Sequence, residues 1–185
     1  MSSGLRKPLR SAVFISGSGS TLQALLEMQH QFEVSLVISN RSTAQGLKKA
    51  KRFGKKCHVL DSATIDYSKL HQLLADHKID RIFLAGFMKI LPAQFVELWR
   101  GRIMNIHPSL LPLYPGQNSA FRNWKDQSKM GATIHHVTAE MDQGPLYLQR
   151  VSLEAKHQLD FSDSEIFLRS SEQHLLRELT MKWIL

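Results

Sequence analysis

A chain of 185 residues with 43% apolar and 22% charged residues has the size of one ordinary domain, enough to bury a full core and too apolar for a disordered chain. Its formal charge of +8 favours anionic partners without choosing among them, and its single cysteine, Cys57, excludes an internal disulfide and suits a reducing compartment, so a cytoplasmic location is expected. The apolar run after Arg6, Lys7 and Arg10 is broken at Ser16-Gly17, too short for a signal-peptide core, and no segment has the apolar length of a membrane span.

In chain order, residues 12–15 read as a first strand, 22–28 as a helix and 34–39 as a second strand. Residues 44–53 carry a helical period ending at Gly54, a residue suited to the C-terminal cap. A third strand is expected at 58–60, a third helix at 67–77 and a fourth strand at 81–85. After Gly86 an apolar loop covers 87–91, and a short helix over 92–99 begins with Pro92 at a permitted position. Ile103, Met104 and Ile106 mark another strand, stopped by Pro108 and Pro112, and residues 113–128 read as loop. Strands at 131–138 and 146–153 follow, punctuated by Gly144-Pro145. A final helix is expected from Ser162 or Asp163 to the chain end, capped by Asp163 or Ser164. This alternation predicts one α/β domain over 1–185, a Rossmann-like, mostly parallel twisted sheet flanked by helices, with a mixed C-terminal part. Residues 11–110 form its phosphate-binding βαβ half, and 111–185 supply the loop, strands and final helix that complete the site.

Chemistry concentrates in Asn105-Ile106-His107-Pro108 and in the later Met141-Asp142-Gln143-Gly144-Pro145. Asn105 and His107 stand two apart, so on a strand their side chains leave the same face. A carboxylate beside an imidazole raises its pKa and fixes its tautomer, and an amide can donate to a carbonyl oxygen as negative charge builds on it. No serine or cysteine nucleophile stands in a triad order, so the nucleophile belongs to a substrate. The first strand runs into Ser16-Gly17-Ser18-Gly19-Ser20-Thr21 and a helix, a turn rich in backbone donors. With Leu22 at the third glycine position and no lysine after the glycines, it fits a single phosphate better than a dinucleotide or a Walker loop, or else it is a tight turn with nothing bound. Lys48, Lys49, Lys51, Arg52, Lys55 and Lys56 crowd one stretch, either a solvated helix face or a polyanion contact. A metal site of His107, His135, His136 and Asp142 is disfavoured, because adjacent strand residues point to opposite faces and no zinc-ligand spacing is present; no metal is expected.

Together, residues 15–24 at the glycine-rich turn, Leu84-Ala85-Gly86-Phe87-Met88-Lys89-Ile90-Leu91, the segment from Asn105 to Pro112 and that from Met141 to Pro145 resemble the phosphoribosylglycinamide formyltransferase family, in register from about Ser11 to Glu172. The Asn-x-His motif with the later Asp is common to folate-dependent formyltransferases, whereas the turn and the Ala-Gly-Phe-Met segment point to the purine-synthesis family. The resemblance implies a formyltransferase fold, 10-formyltetrahydrofolate as co-substrate and a small phosphorylated amine, 5-phosphoribosylglycinamide, as acceptor. It implies that Gly19, Ser20 and Thr21 hold the phosphate and that Glu172 meets the glycinamide part. Met88, Lys89, Ile90, Leu91, Val96, Asn105, Thr138, Ala139, Glu140, Met141 and Asp142 would line the folate pocket. Asn105 would polarise the formyl group, His107 would act as general acid, and Asp142 would raise the histidine's pKa.

The chain departs from the family pattern at Thr21, usually Asn, at Lys89, usually Arg, and in the Pro115-Gly116-Gln117-Asn118-Ser119-Ala120 loop, where the family carries a histidine-containing segment over the amine substrate. A formyltetrahydrofolate hydrolase and a sugar-amine N-formyltransferase are therefore the alternatives. Relatives with an added N-terminal regulatory domain or C-terminal barrel are longer than this chain, so neither addition is expected. A nucleic-acid module would rest on the charge alone, without interleaved aromatics. Neither a nucleic-acid nor a membrane partner is expected, and the chain is expected to be a monomer or weak homodimer.

Overall fold

A computed structural model describes residues 9–28, 33–61 and 63–182. Among these residues seven strands form one sheet: β1 (Arg10–Ile15), β2 (Glu33–Ser39), β3 (Lys56–Val59), β4 (Arg81–Leu84), β5 (Ile103–His107), β6 (Met130–His136) and β7 (Leu146–Leu153). Their order is β3-β2-β1-β4-β5-β6-β7. The strands from β3 to β5 pair in parallel, and β6 and β7 continue the sheet antiparallel. This is the expected parallel sheet with a mixed C-terminal part.

Among the described residues six helices cover the sheet: α1 (Ser20–Glu27), α2 (Gln45–Arg52), α3 (Tyr67–Asp76), α4 (Ala93–Leu98), α5 (Ser119–Lys125) and α6 (Phe161–Lys182). β1 is apolar without alternation because both of its faces are covered. Val13 and Ile15 join a core with Leu22 and Leu25 of α1, Leu47 of α2 and Leu175 and Leu176 of α6. Ala12 and Phe14 join a second core with Leu70 and Leu74 of α3 and Phe95 and Val96 of α4. β5 divides likewise: Met104 and Ile106 enter the first core and Ile103 the second. The faces of Asn105 and His107 thereby turn to the α3–α4 side.

Most boundaries shift by one or two residues from the sequence expectation, and a few differences have a clear physical reason. β3 starts at Lys56, because an edge strand needs no apolar residue to mark it; its pairing still reaches Leu60, whose N–H bonds to the Ser39 carbonyl at 2.8 Å. Pro92 is the residue preceding α4 rather than its first member. α6 starts at Phe161, capped by Asp160, whose Oδ1 accepts from the Asp163 N–H and the Ser162 hydroxyl, both at 2.8 Å. α5 lies where the sequence reads as loop. The expected C-terminal glycine of α2 holds: Gly54 has φ 67 and its N–H bonds to the Lys51 carbonyl. Residues 183–185, into which the final helix was expected to run, lie outside the described residues, as do Arg6 and Lys7. Among the described residues no helix is long and apolar enough to cross a membrane.

Candidate active site

In a parallel sheet, ligands bind beyond the carboxyl ends of the strands, where the strand order reverses. Here the reversal lies between β1, from which the chain winds toward β3, and β4, from which it winds toward β7. The glycine-rich turn leaves the end of β1, the Gly86–Leu91 segment leaves the end of β4, and Asn105 and His107 end β5. Three adjacent strands thus present the three motifs along one edge. The first two are tied together by Ser16. Its N–H bonds to the Gly86 carbonyl at 3.1 Å. Its hydroxyl accepts from the Met88 N–H at 2.7 Å and donates to Asn40 Oδ1 at 2.5 Å.

The antiparallel register of β5 and β6 sets Asn105 opposite His135 and His107 opposite Thr133. His135 Nδ1 lies 3.0 Å from the His136 carbonyl, which can only accept, so Nδ1 carries a hydrogen. In the neutral ring Nε2 is then an acceptor, and the Asn105 side-chain N–H lies 3.1 Å from it. The same register lets Thr133 brace the chain after β5: its hydroxyl donates to the Ser109 carbonyl at 2.7 Å and accepts from the Leu111 N–H at 3.1 Å.

Asp142 joins the two imidazoles. Its Oδ2 lies 3.4 Å from His107 Nδ1 and its Oδ1 lies 3.5 Å from His135 Nε2. Oδ2 also accepts from the Gly116 N–H at 2.8 Å. The residue has φ 55, a left-handed conformation that a short polar side chain tolerates. The loop that carries it is pressed onto β6 at Gly144, where an added Cβ would lie 1.8 Å from the His136 carbonyl oxygen. Burial works to raise the Asp142 pKa, but the imidazolium forms of His135, whose Nε2 then carries a hydrogen, and His107, together with the Gly116 N–H, hold it at about 2.

His107 is 6% exposed. Its Nε2 donates to the Tyr114 carbonyl at 2.9 Å, leaving Nδ1 for Asp142. Burial lowers its pKa, while the Tyr114 carbonyl and Asp142 raise it. Asp142 therefore acts in the direction expected of it, but desolvation is the larger effect and the net direction is downward.

These groups lie on the wall of a cavity of about 290 Å³. Its lining holds Met88, Lys89, Ile90, Leu91, Asn105, His107, His135, Thr138, Ala139, Glu140, Met141 and Asp142, together with Phe87, Val137 and the segment Gly116-Gln117-Asn118-Ser119. Met88 and Ile90 are 59% and 71% exposed, apolar surface of the kind a flat ligand covers. Val96 does not line it. The buried face of α4 turns Val96 into the core beside Phe95, behind Leu91, so it supports the wall from the rear.

Gly19, Ser20, Thr21 and Glu172 also stand outside the cavity. Gly19 precedes α1 at φ 67 with no side-chain cap, so the first N–H groups of the helix are left for water or a ligand. α6, which carries Glu172, packs against α1 on the same face of the sheet. Burial, with some help from Glu165 and against Arg169, pushes the Glu172 carboxyl up to about 7. Two site residues escaped sequence reasoning. The sequence offers His135 only as a disfavoured metal ligand, and its pairing with Asn105 depends on a register that no local signal gives. Tyr114 acts through its carbonyl, which any residue would supply, and its φ of 53 turns that carbonyl to His107.

Residues 9–179 match the family model described as formyl transferase. The chain is 36% identical to phosphoribosylglycinamide formyltransferase of Escherichia coli (strain K12), covering 92% of this chain and 84% of that protein. It is 37% identical to the trifunctional purine biosynthetic protein adenosine-3 of Homo sapiens over 78% of this chain and only 15% of that larger protein. The crystal structure of phosphoribosylglycinamide formyltransferase from Anaplasma phagocytophilum superimposes with a TM-score of 0.86 at 36% identity, covering 91% of this chain and 83% of that one. The chain belongs to the phosphoribosylglycinamide formyltransferase family of the formyl transferases.

Proposed function

We propose that the chain transfers the formyl group of 10-formyltetrahydrofolate to the amine of 5-phosphoribosylglycinamide. The observation that carries this reading is the meeting of Asn105, His107 and Asp142 on the wall of one apolar cavity, on the strand-end edge that also bears the glycine-rich turn. The folate heterocycle fits between Met88, Ile90 and Leu91 on one side and Val137 and the Thr138–Asp142 loop on the other, where flat apolar surface is covered and few polar groups need partners. The acceptor's phosphate fits the free N–H groups of Gly19, Ser20 and Thr21, and Glu172 receives the glycinamide part. A carboxyl raised to about 7 is one that a cationic or hydrogen-bonding ligand would stabilise on binding.

In the reaction the acceptor amine forms a bond to the formyl carbon while the carbon–N10 bond of the folate breaks. Asn105 donates through its amide to the formyl oxygen as that oxygen becomes negative, a role worth about 3 kcal/mol in comparable sites. His107 supplies the proton that the folate nitrogen takes as it leaves, and Asp142 stabilises the imidazolium that delivers it. The proton lost from the attacking amine restores the imidazolium, so the cycle closes. The Asp142 loop and the Gly116 segment hold both partners in attack geometry.

Direct assay of formyl transfer to 5-phosphoribosylglycinamide tests the reading. Rapid, acceptor-dependent loss of 10-formyltetrahydrofolate is expected. Formate release at the same rate without the acceptor would make the chain a hydrolase, and faster transfer to a nucleotide-sugar amine would move the acceptor class.

A further inference from the structure

We propose that Lys49 is the cation of the phosphate turn, a residue that binds the acceptor's phosphate together with the N–H groups at the start of α1. The proposal rests on the reading of that turn as a phosphate site. The sequence carries a basic cluster whose role composition leaves open, and the structure separates its members. Of the four cations in α2, Lys48, Lys51 and Arg52 are exposed, whereas Lys49 is half-buried, with Nζ 3.5 Å from the Gly19 carbonyl.

Two glycines bring the lysine there. α2 docks on the turn through a hydrogen bond from the Gly46 N–H to the Gly17 carbonyl at 3.1 Å. The contact is so close that a Cβ at Gly19 would lie 2.6 Å from Gly46 Cα, and one at Gly46 would lie 2.5 Å from Ile15 Cδ1. Only hydrogen side chains permit this approach. Lys49 then stands one helical turn beyond Gly46, on the side of α2 that faces the turn.

The charge left at that position is uncompensated. α2 contains no acidic residue, and among the described residues Lys49 has no carboxylate partner. Among the described residues its hydrogen-bond partner is the neutral Gly19 carbonyl, a weak bond at 3.5 Å that a phosphate oxygen would replace with a charge-assisted one. The four-carbon stem gives the ammonium the reach to swing from Gly19 to a dianion seated on the Ser20 and Thr21 N–H groups. The neighbouring cations Lys48, Lys51 and Arg52 point to solvent and supply only a screened background field.

The test compares Lys49→Ala and Lys49→Arg with the parent protein, using 5-phosphoribosylglycinamide and its dephosphorylated ribosyl counterpart as acceptors. For Lys49→Ala the KM of the phosphorylated acceptor should rise about tenfold, the loss of one charge-assisted contact. The KM of the folate and the rate with the dephosphorylated acceptor should stay unchanged, Lys49→Arg should recover most of the loss, and the inhibition constant of inorganic phosphate should rise in parallel. An unchanged KM for the phosphorylated acceptor overturns the proposal. So does an equal loss with both acceptors, which would mark distortion of the turn. If the parent protein itself does not distinguish the two acceptors, the phosphate reading of the turn fails, and the proposal falls with it.

Discussion

Replacing Asp142 with Asn removes one negative charge from between two imidazoles and leaves an acceptor for the Gly116 N–H, so it isolates the electrostatic role of the carboxylate. The folded environment lowers the Asp142 pKa from 3.8 to about 2. At roughly 1.36 kcal/mol per unit of pKa, the carboxylate contributes about 2 kcal/mol to folding. The sign follows from the depressed pKa. The contribution is fully present above the unfolded-state value near 3.8 and is lost as pH falls through the folded-state value near 2. Urea unfolding of both proteins at a series of pH values measures it. Asp142→Asn should be less stable by about 2 kcal/mol at pH 7 and at pH 5, and the gap should narrow as pH drops toward 2. A gap that is absent at pH 7, or that stays constant into the acid range, would refute the claim that His107, His135 and the Gly116 N–H stabilise a charged Asp142.

His107→Ala should lower turnover by about 10²–10⁴ while thermal unfolding shows a folded protein, and near-normal turnover would remove His107 from proton transfer. Asn105→Ala should reduce kcat about 10²-fold with little change in the acceptor's KM; a pure KM effect would make Asn105 a binding residue only. Gly144→Ala forces a Cβ onto the His136 carbonyl, so it should destabilise by roughly 2 kcal/mol or more and displace Asp142, read as a joint loss of thermal midpoint and turnover; full tolerance would contradict the backbone contact. Glu172→Gln removes a carboxyl held at about 7, and a raised pKa means that the native state loses stability as pH climbs from 4.5 to 7. The variant should match the parent near pH 4 and exceed it by about 3 kcal/mol at pH 8 in chemical unfolding, while needing more acceptor for half-maximal rate.

How much of this was legible in the sequence follows from where the stabilising contacts lie along the chain. The parallel strands were readable because burial on both faces leaves continuous apolar runs such as Ala12 to Ile15, and the glycine-rich turn because free N–H groups follow from local geometry alone. α5 was not readable. It buries only Ser119 and Asn123 completely, so it has no apolar period, and its Trp124 is fixed from a distance, by a ring contact to Phe161 and a bond from Nε1 to the Leu159 carbonyl at 2.8 Å. The site divides in the same way. Asn105 and His107 declare a common face by their spacing, and Asp142 declares itself as the carboxylate of the same chemistry, but its role toward the histidine is implied by resemblance, and His135 by neither route.

His135 shows what was missing. An antiparallel pair is defined by its register, and a slip of one residue would have sent His136 to the site and His135 into the core, reversing their roles. The register seen here is held by contacts on both sides of the pair: Thr133 to the Ser109 carbonyl below it and the His136 N–H to the Pro145 carbonyl above. The bond to Pro145 also fixes the loop that carries Asp142. The geometry that hides His135 from sequence reasoning is thus the geometry that delivers the carboxylate. Disturbing the β5–β6 register should therefore cost Asn105 its partner and His107 its counter-charge together.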